Sequence, residues 1–113
     1  MNRINILKSL AELSKPLNEL SNNLSELDWD YEEGPFIVSA SQILEVLKRY
    51  ISGEVSDKEI EDWANLIECR EDIIFEKEKK DKLEDTIYRL ANPTLEGVIT
   101  PDSCEEIISK LIG

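Results

Sequence analysis

Leucines at positions 7, 10, 13, 17, 20, 24 and 27 advance in steps of three and four. That spacing lays one apolar stripe along a helix, whereas a strand would alternate its faces every two residues. Pro16 interrupts the stripe. Inside a helix a proline removes a backbone donor and clashes with the preceding turn, so a kink or break is expected near Lys15. Ser14 is then a candidate cap for a second segment, with Pro16 in its first turn. The stripe is read as the core face of one or two bundle helices. A coiled-coil seam, through which a second copy could pair, needs several uninterrupted heptads.

The same grammar recurs downstream. In "SASQILEVLKRYISG", Ser39 and Gln42 stand at capping-box spacing, and Ile43, Leu44, Val46, Leu47, Tyr50 and Ile51 give a broad apolar face. Lys48 and Arg49 suit the negative end of that helix, and Gly53 is a left-handed stop. In "SDKEIEDWANLIECR", Ser56 and Glu59 form a second box, and Ile60, Trp63, Ala64 and Ile67 form the next stripe. Leu83, Ile87, Leu90 and Ala91 predict a further helix, ended by Asn92-Pro93. Thr100 and Pro101 open the last one, with Ile107, Ile108, Leu111 and Ile112 as its apolar positions. Between the first and second of these blocks, "DWDYEEGPFIV" breaks the period. Gly34-Pro35 marks a turn there. The expected fold is all-α: a single domain over 1–113, a bundle of five or six helices, with one short extended segment near 36–38.

Composition narrows the chemistry. The 113 residues include no histidine, and the two cysteines, Cys69 and Cys104, lie far apart. His-based acid–base catalysis, Ser–His and Cys–His nucleophiles and His/Cys zinc sites are therefore excluded. The four glycines are scattered singly, so no phosphate-cradling loop is present. "DWDYEE" clusters carboxylates that could bind Ca²⁺, but the sixth and twelfth positions counted from Asp28 are Glu33 and Ser39. A calcium-binding loop would need Gly and Glu there. No catalytic residue, cofactor or metal ligand is assigned, and the chain is read as a non-enzyme. The cysteines are expected to be reduced, half-buried thiols. The opening "MNRINILKSLAEL" lacks the apolar core of a signal peptide, and no run approaches the ~18 apolar residues of a membrane span. A cytoplasmic location is expected.

Charge carries more. There are 25 acids against 13 bases, a net charge of −12. Such a surface repels nucleic acid and anionic membranes, leaving plain solubility or a basic protein partner as its meaning. The acids concentrate in the middle of the chain. From Pro16 to Leu47 there is no Lys or Arg, and the bases gather later in "KEKKDK". Trp29 and Tyr31 sit within the most acidic stretch, Asp28, Asp30, Glu32 and Glu33. They read either as interface anchors among steering charges or as lids on the core. "EDWANLIECRED" reads instead as a helix terminus. Trp63 belongs to the core stripe, Cys69 is an inert thiol beside acids, and Arg70 bridges the last carbonyls to an acid such as Asp72.

"LKRYISGEVSDKEIEDWANLIECREDIIFE" followed by "LANPTLEGVITPDSC" resembles a family of small bacterial proteins. These look like immunity proteins that accompany secreted or contact-delivered toxins. The resemblance spans roughly residues 44 to 112, through Gly53, Trp63, Ala64, Arg70, Asp72 and the "LANP" at 90 to 93. It defines no catalytic residues. It implies a monomeric domain of a contact-dependent inhibition system that neutralises a cognate toxin, commonly a nuclease with a basic surface. The partner-binding residues expected on this reading are Asp28, Trp29, Asp30, Tyr31, Glu32, Glu33, Asp57, Glu61 and Asp62. The alternative is a helical adaptor or an oligomeric module joined through the leucine stripe.

Overall fold

A computed structural model describes residues 3–27 and 35–112. Among these residues the chain forms seven helices and two short strands: α1 (Arg3–Glu12), α2 (Leu17–Ser25), β1 (Phe36–Val38), α3 (Ala40–Ile51), α4 (Asp57–Glu68), β2 (Ile73–Phe75), α5 (Lys80–Ala91), α6 (Pro93–Glu96) and α7 (Pro101–Ile112). A 3-10 turn, Lys77–Lys79, leads into α5. The all-α bundle with an extended piece at 36–38 is the observed architecture. Its additional helix is α6: Asn92-Pro93 ends α5 as expected, but proline suits a first helical position and starts another turn at once.

The leucine stripe is core. Leu7, Leu10, Leu13, Leu20 and Leu24 are buried, and Leu17 and Leu27 pack half-buried against the same cluster. Five of the seven stripe leucines are thus committed to the core of a single chain. The break falls before Pro16, not at a Ser14 cap. Leu13 adopts φ 47°, its N–H reaching Leu10 O at 3.1 Å, while Ser14 N–H reaches Ser9 O at 3.1 Å. This is the Schellman closure of α1, so Ser14 belongs to the end of α1 and Pro16 directly precedes α2. Arg49 of α3 completes the closure by donating to Glu12 O at 3.1 Å and Leu13 O at 2.9 Å.

Both capping boxes form. Ser39 Oγ accepts from Gln42 N–H at 3.3 Å while Gln42 Oε1 accepts from Ser39 N–H at 3.0 Å. Ser56 and Glu59 make the equivalent pair at 3.1 and 3.2 Å. Gly53 supplies the left-handed stop, at φ 88°. At the start of α7, Thr100 and Ser103 exchange bonds of 3.0 and 2.9 Å in the same manner.

The strand partner "IIF" has no periodic signature of its own. It is created by topology: β1, α3, α4 and β2 make a crossover that returns parallel to its start, with Phe36 opposite Ile73 and Val38 opposite Phe75. Val38 and Ile73 face the core, and Ile37 and Ile74 face outward together. Glu76, just past β2, accepts from Ala40 N–H at 3.0 Å and so also secures the start of α3.

At the centre Trp63 is fully buried, its indole N–H donating to Leu10 O at 2.7 Å. It locks α4 onto α1 and answers the one polar atom that burial would otherwise orphan. Among the described residues every buried side-chain polar atom has a partner. Ile112, expected on the apolar face of α7, is 65% exposed: the core side of the final turn is already occupied by Leu111.

A leucine at positive φ costs about 1–2 kcal/mol of backbone strain. It persists at position 13 because its side chain is buried, and truncating a buried leucine costs about 2–5 kcal/mol. Leu13→Gly relieves the first and forfeits the second, so a net loss of about 1–3 kcal/mol is expected in urea unfolding. A more stable variant would contradict the assignment of Leu13 to the core.

Candidate functional site

The stretch after α4 is structural. Asp72 is 2% exposed and receives two parallel bonds from Arg70, Nε to Oδ1 at 2.9 Å and Nη2 to Oδ2 at 2.7 Å. Arg3 of α1 donates to the same Oδ2 at 2.5 Å. The Asp72 carbonyl accepts from Phe36 N–H at 2.8 Å, the first rung of the sheet. The expected Arg70–Asp72 pair is thus present. Arg3, which no periodicity singled out, is its third member. Burial pushes the Asp72 carboxyl upward, but the bonds from Arg70 and Arg3 and the Arg70 charge outweigh it and hold the group below its ordinary value.

The acids assigned to the partner surface separate into two sets. Asp28, Trp29, Asp30, Tyr31, Glu32 and Glu33 lie outside the described residues. Asp57, Glu61 and Asp62 are on α4. Asp57 is exposed in its first turn, where Oδ1 accepts from Lys58 N–H at 2.9 Å. Asp62 approaches Lys58 Nζ at 3.2 Å and Glu61 at 3.8 Å. These acids hold the ammonium proton on Lys58 more firmly than usual, the hydrogen bond to Asp62 foremost. Glu61 and Asp62 are half-buried and share a cation, whereas Asp57 has no ion pair among the described residues.

Asp57 and Glu61 line one side of a shallow hollow; Asp62 does not. The opposite side is Pro93, Val98 and Ile99, from the segment that carries α6 into α7. This segment is firmly held. Glu96 and Gly97 N–H groups bond Asn92 O and Pro93 O at 2.9 and 3.0 Å, and Tyr50 donates its hydroxyl to Ile99 O at 3.3 Å. Gly97, at φ 116°, makes the bend, and Ile99 is buried. On this anchored turn Leu95 is 73% exposed and Val98 72% exposed. Sequence reasoning read this region only as a helix stop. The available signal was two aliphatic residues in "TLEGV", between helices and outside any periodic stripe.

Other concavities are mixed in character. One between α5 and α7, about 360 Å³, is lined by Lys82, Arg89 and Lys110 together with Asp85 and Glu96. A second, about 420 Å³, lies between the end of α4, β2 and α5. Among the described residues, no three Cys, Asp or Glu side chains converge as metal ligands would. No helix among them is long and apolar enough to cross a membrane. No known protein family, curated protein or solved structure matches the chain.

The thiols differ from the expected half-buried pair. Cys69, the residue that ends α4, is exposed, and Cys104 is buried in α7. Burial pushes the Cys104 thiol up to about 11, only partly opposed by Arg89 and Ser103. Thiolate is the reactive form. Cys69, expected to be inert, is open to solvent, so a thiol-specific reagent is expected to reach it in the native protein and Cys104 only on unfolding; two equivalents reacting at one rate in the native protein would contradict this.

A carboxyl whose folded pKa lies below its unfolded value, about 3.9, contributes stability that is fully present above that value. That contribution is lost as pH falls through the lower, folded value. Asp72→Asn leaves Arg3 and Arg70 facing each other without their anion. A loss of about 3–5 kcal/mol at neutral pH is expected, with a flatter acid limb in the stability–pH curve. Unchanged urea unfolding would remove Asp72 from this role.

Proposed function

We propose that this chain is a non-enzymatic binding domain of the immunity type, acting as a cytoplasmic monomer that neutralises a toxin domain by covering a basic surface on it. No cofactor, metal, nucleic acid or membrane takes part. The observation that carries the reading is where the charges sit. Five cations serve the scaffold: Arg3 and Arg70 at Asp72, Arg49 at the end of α1, Lys79 and Lys82 at the last carbonyls of α7. Acids remain outside in excess, with Asp57, Glu59 and Glu68 exposed along α4 and a net charge of −12 overall. A preorganised acidic surface of this kind steers a basic partner and gains specificity from like-charge rejection of others.

The test is co-expression with the product of the adjacent reading frame. A co-purifying complex that relieves that product's toxicity is expected. Two reversal variants, one at Asp28, Asp30, Glu32 and Glu33 and one at Asp57, Glu61 and Asp62, divide the acidic surface. At least one should slow association by about tenfold or more, the effect shrinking as salt rises. An adjacent product that is not toxic and forms no complex, or association unchanged in both variants, contradicts the reading.

A further inference from the structure

We infer that the ledge formed by Leu95 and Val98, with the hollow between it and α4, is a docking surface for a protein segment that sets an aliphatic or aromatic side chain beside Lys or Arg. The inference rests on the binding role proposed above for the sign of the partner's charge, and it locates the contact on a particular surface.

The apolar half comes first. Leu95 and Val98 are among the most exposed aliphatic side chains of the described chain, three positions apart on a turn whose backbone is tied at Asn92, Pro93 and Ile99. Pro93, Val98 and Ile99 form the apolar wall of the hollow. Single exposed aliphatics need no explanation, but here Val98 lines the hollow and Leu95 stands exposed three positions before it on the same tied turn. Because the turn is already tied by the Glu96 and Gly97 N–H bonds and by Tyr50, a partner would pay little entropy to engage it.

The polar half fixes the occupant. The facing wall is Asp57, Lys58 and Glu61. The Lys58 ammonium leans toward Asp62 and Glu61, so its charge is already matched within α4. Among the described residues Asp57 keeps only the Lys58 backbone N–H, which leaves carboxylate oxygen for an incoming guanidinium or ammonium. An apolar wall facing one whose unmatched charge is the Asp57 carboxylate selects a basic amphipathic segment over an acidic or uniformly apolar one.

A phage-displayed library of random dodecapeptides, selected against the purified chain, tests this without knowledge of the natural partner. Enriched peptides should pair Lys or Arg with Leu, Phe or Trp and shift the amide resonances of Asp57, Glu61, Val98 and Ile99 on titration. Leu95→Ser/Val98→Ser should weaken them about tenfold or more, and Asp57→Lys should weaken them while leaving the fold intact. These side chains are exposed, so retained folding of the variants is checked by circular dichroism. Basic peptides that map elsewhere, or that bind the double variant equally well, overturn this site while sparing the binding role. Enriched peptides without basic residues, or no enrichment at all, overturn the site and undercut the role together.

Discussion

Asp72 is where the fold closes. One side chain, 2% exposed, accepts from Arg3 at the start of α1 and from Arg70 just past α4, and its carbonyl opens the sheet by accepting from Phe36. The N-terminal helices, the α4 exit and the β1–β2 pair are thus referred to a single residue. An ion pair this deep is retained only when every lone pair and proton is answered, and here two guanidinium groups answer one carboxylate. That stoichiometry matters for a chain with so few cations: two of them are committed to one buried acid.

The remaining structural cations follow the same logic. Helix carboxyl ends present unsatisfied carbonyls and a partial negative charge, and a cation brought from a neighbouring helix relieves both. Arg49 serves α1 in this way, and Lys79 and Lys82 serve α7. Using cations within the scaffold leaves the outer acids incompletely matched. The acidic surface is therefore a consequence of how the core and helix ends are built as well as of composition, and the binding role proposed for it needs no additional element.

Much of this was legible in the residues because it depends on local rules. The capping boxes at Ser39 and Ser56, the stop at Gly53, and the stripe of Ile60, Trp63, Ala64 and Ile67 all obey helix periodicity and end chemistry. What escaped depends on long-range geometry. Leu13 in a left-handed conformation carries no sequence mark, because the residue type disfavours it and only burial sustains it. The second strand acquires its identity from a crossover that returns it beside Phe36, and Arg3 its partner from 69 residues away. On the binding side, Asp57, Glu61 and Asp62 were named for charge alone. Folding sorts them: Asp57 and Glu61 line one hollow, Asp62 does not, and Glu61 and Asp62 share Lys58. The ledge at Leu95 and Val98 lay in a segment where apolar residues follow no period, so pattern reading passed over it.

The central claim is that the outer acids outnumber the cations left to match them: five cations serve Asp72 and helix ends, and others pair with acids three or four positions away. Unfolding followed by thermal denaturation across a series of sodium chloride concentrations tests it directly. If the acids repel one another, added salt screens that repulsion and the melting temperature rises from low salt upward. A melting temperature that falls with salt would mean that attractive surface pairs dominate, and would contradict the division of charge on which the proposed function rests.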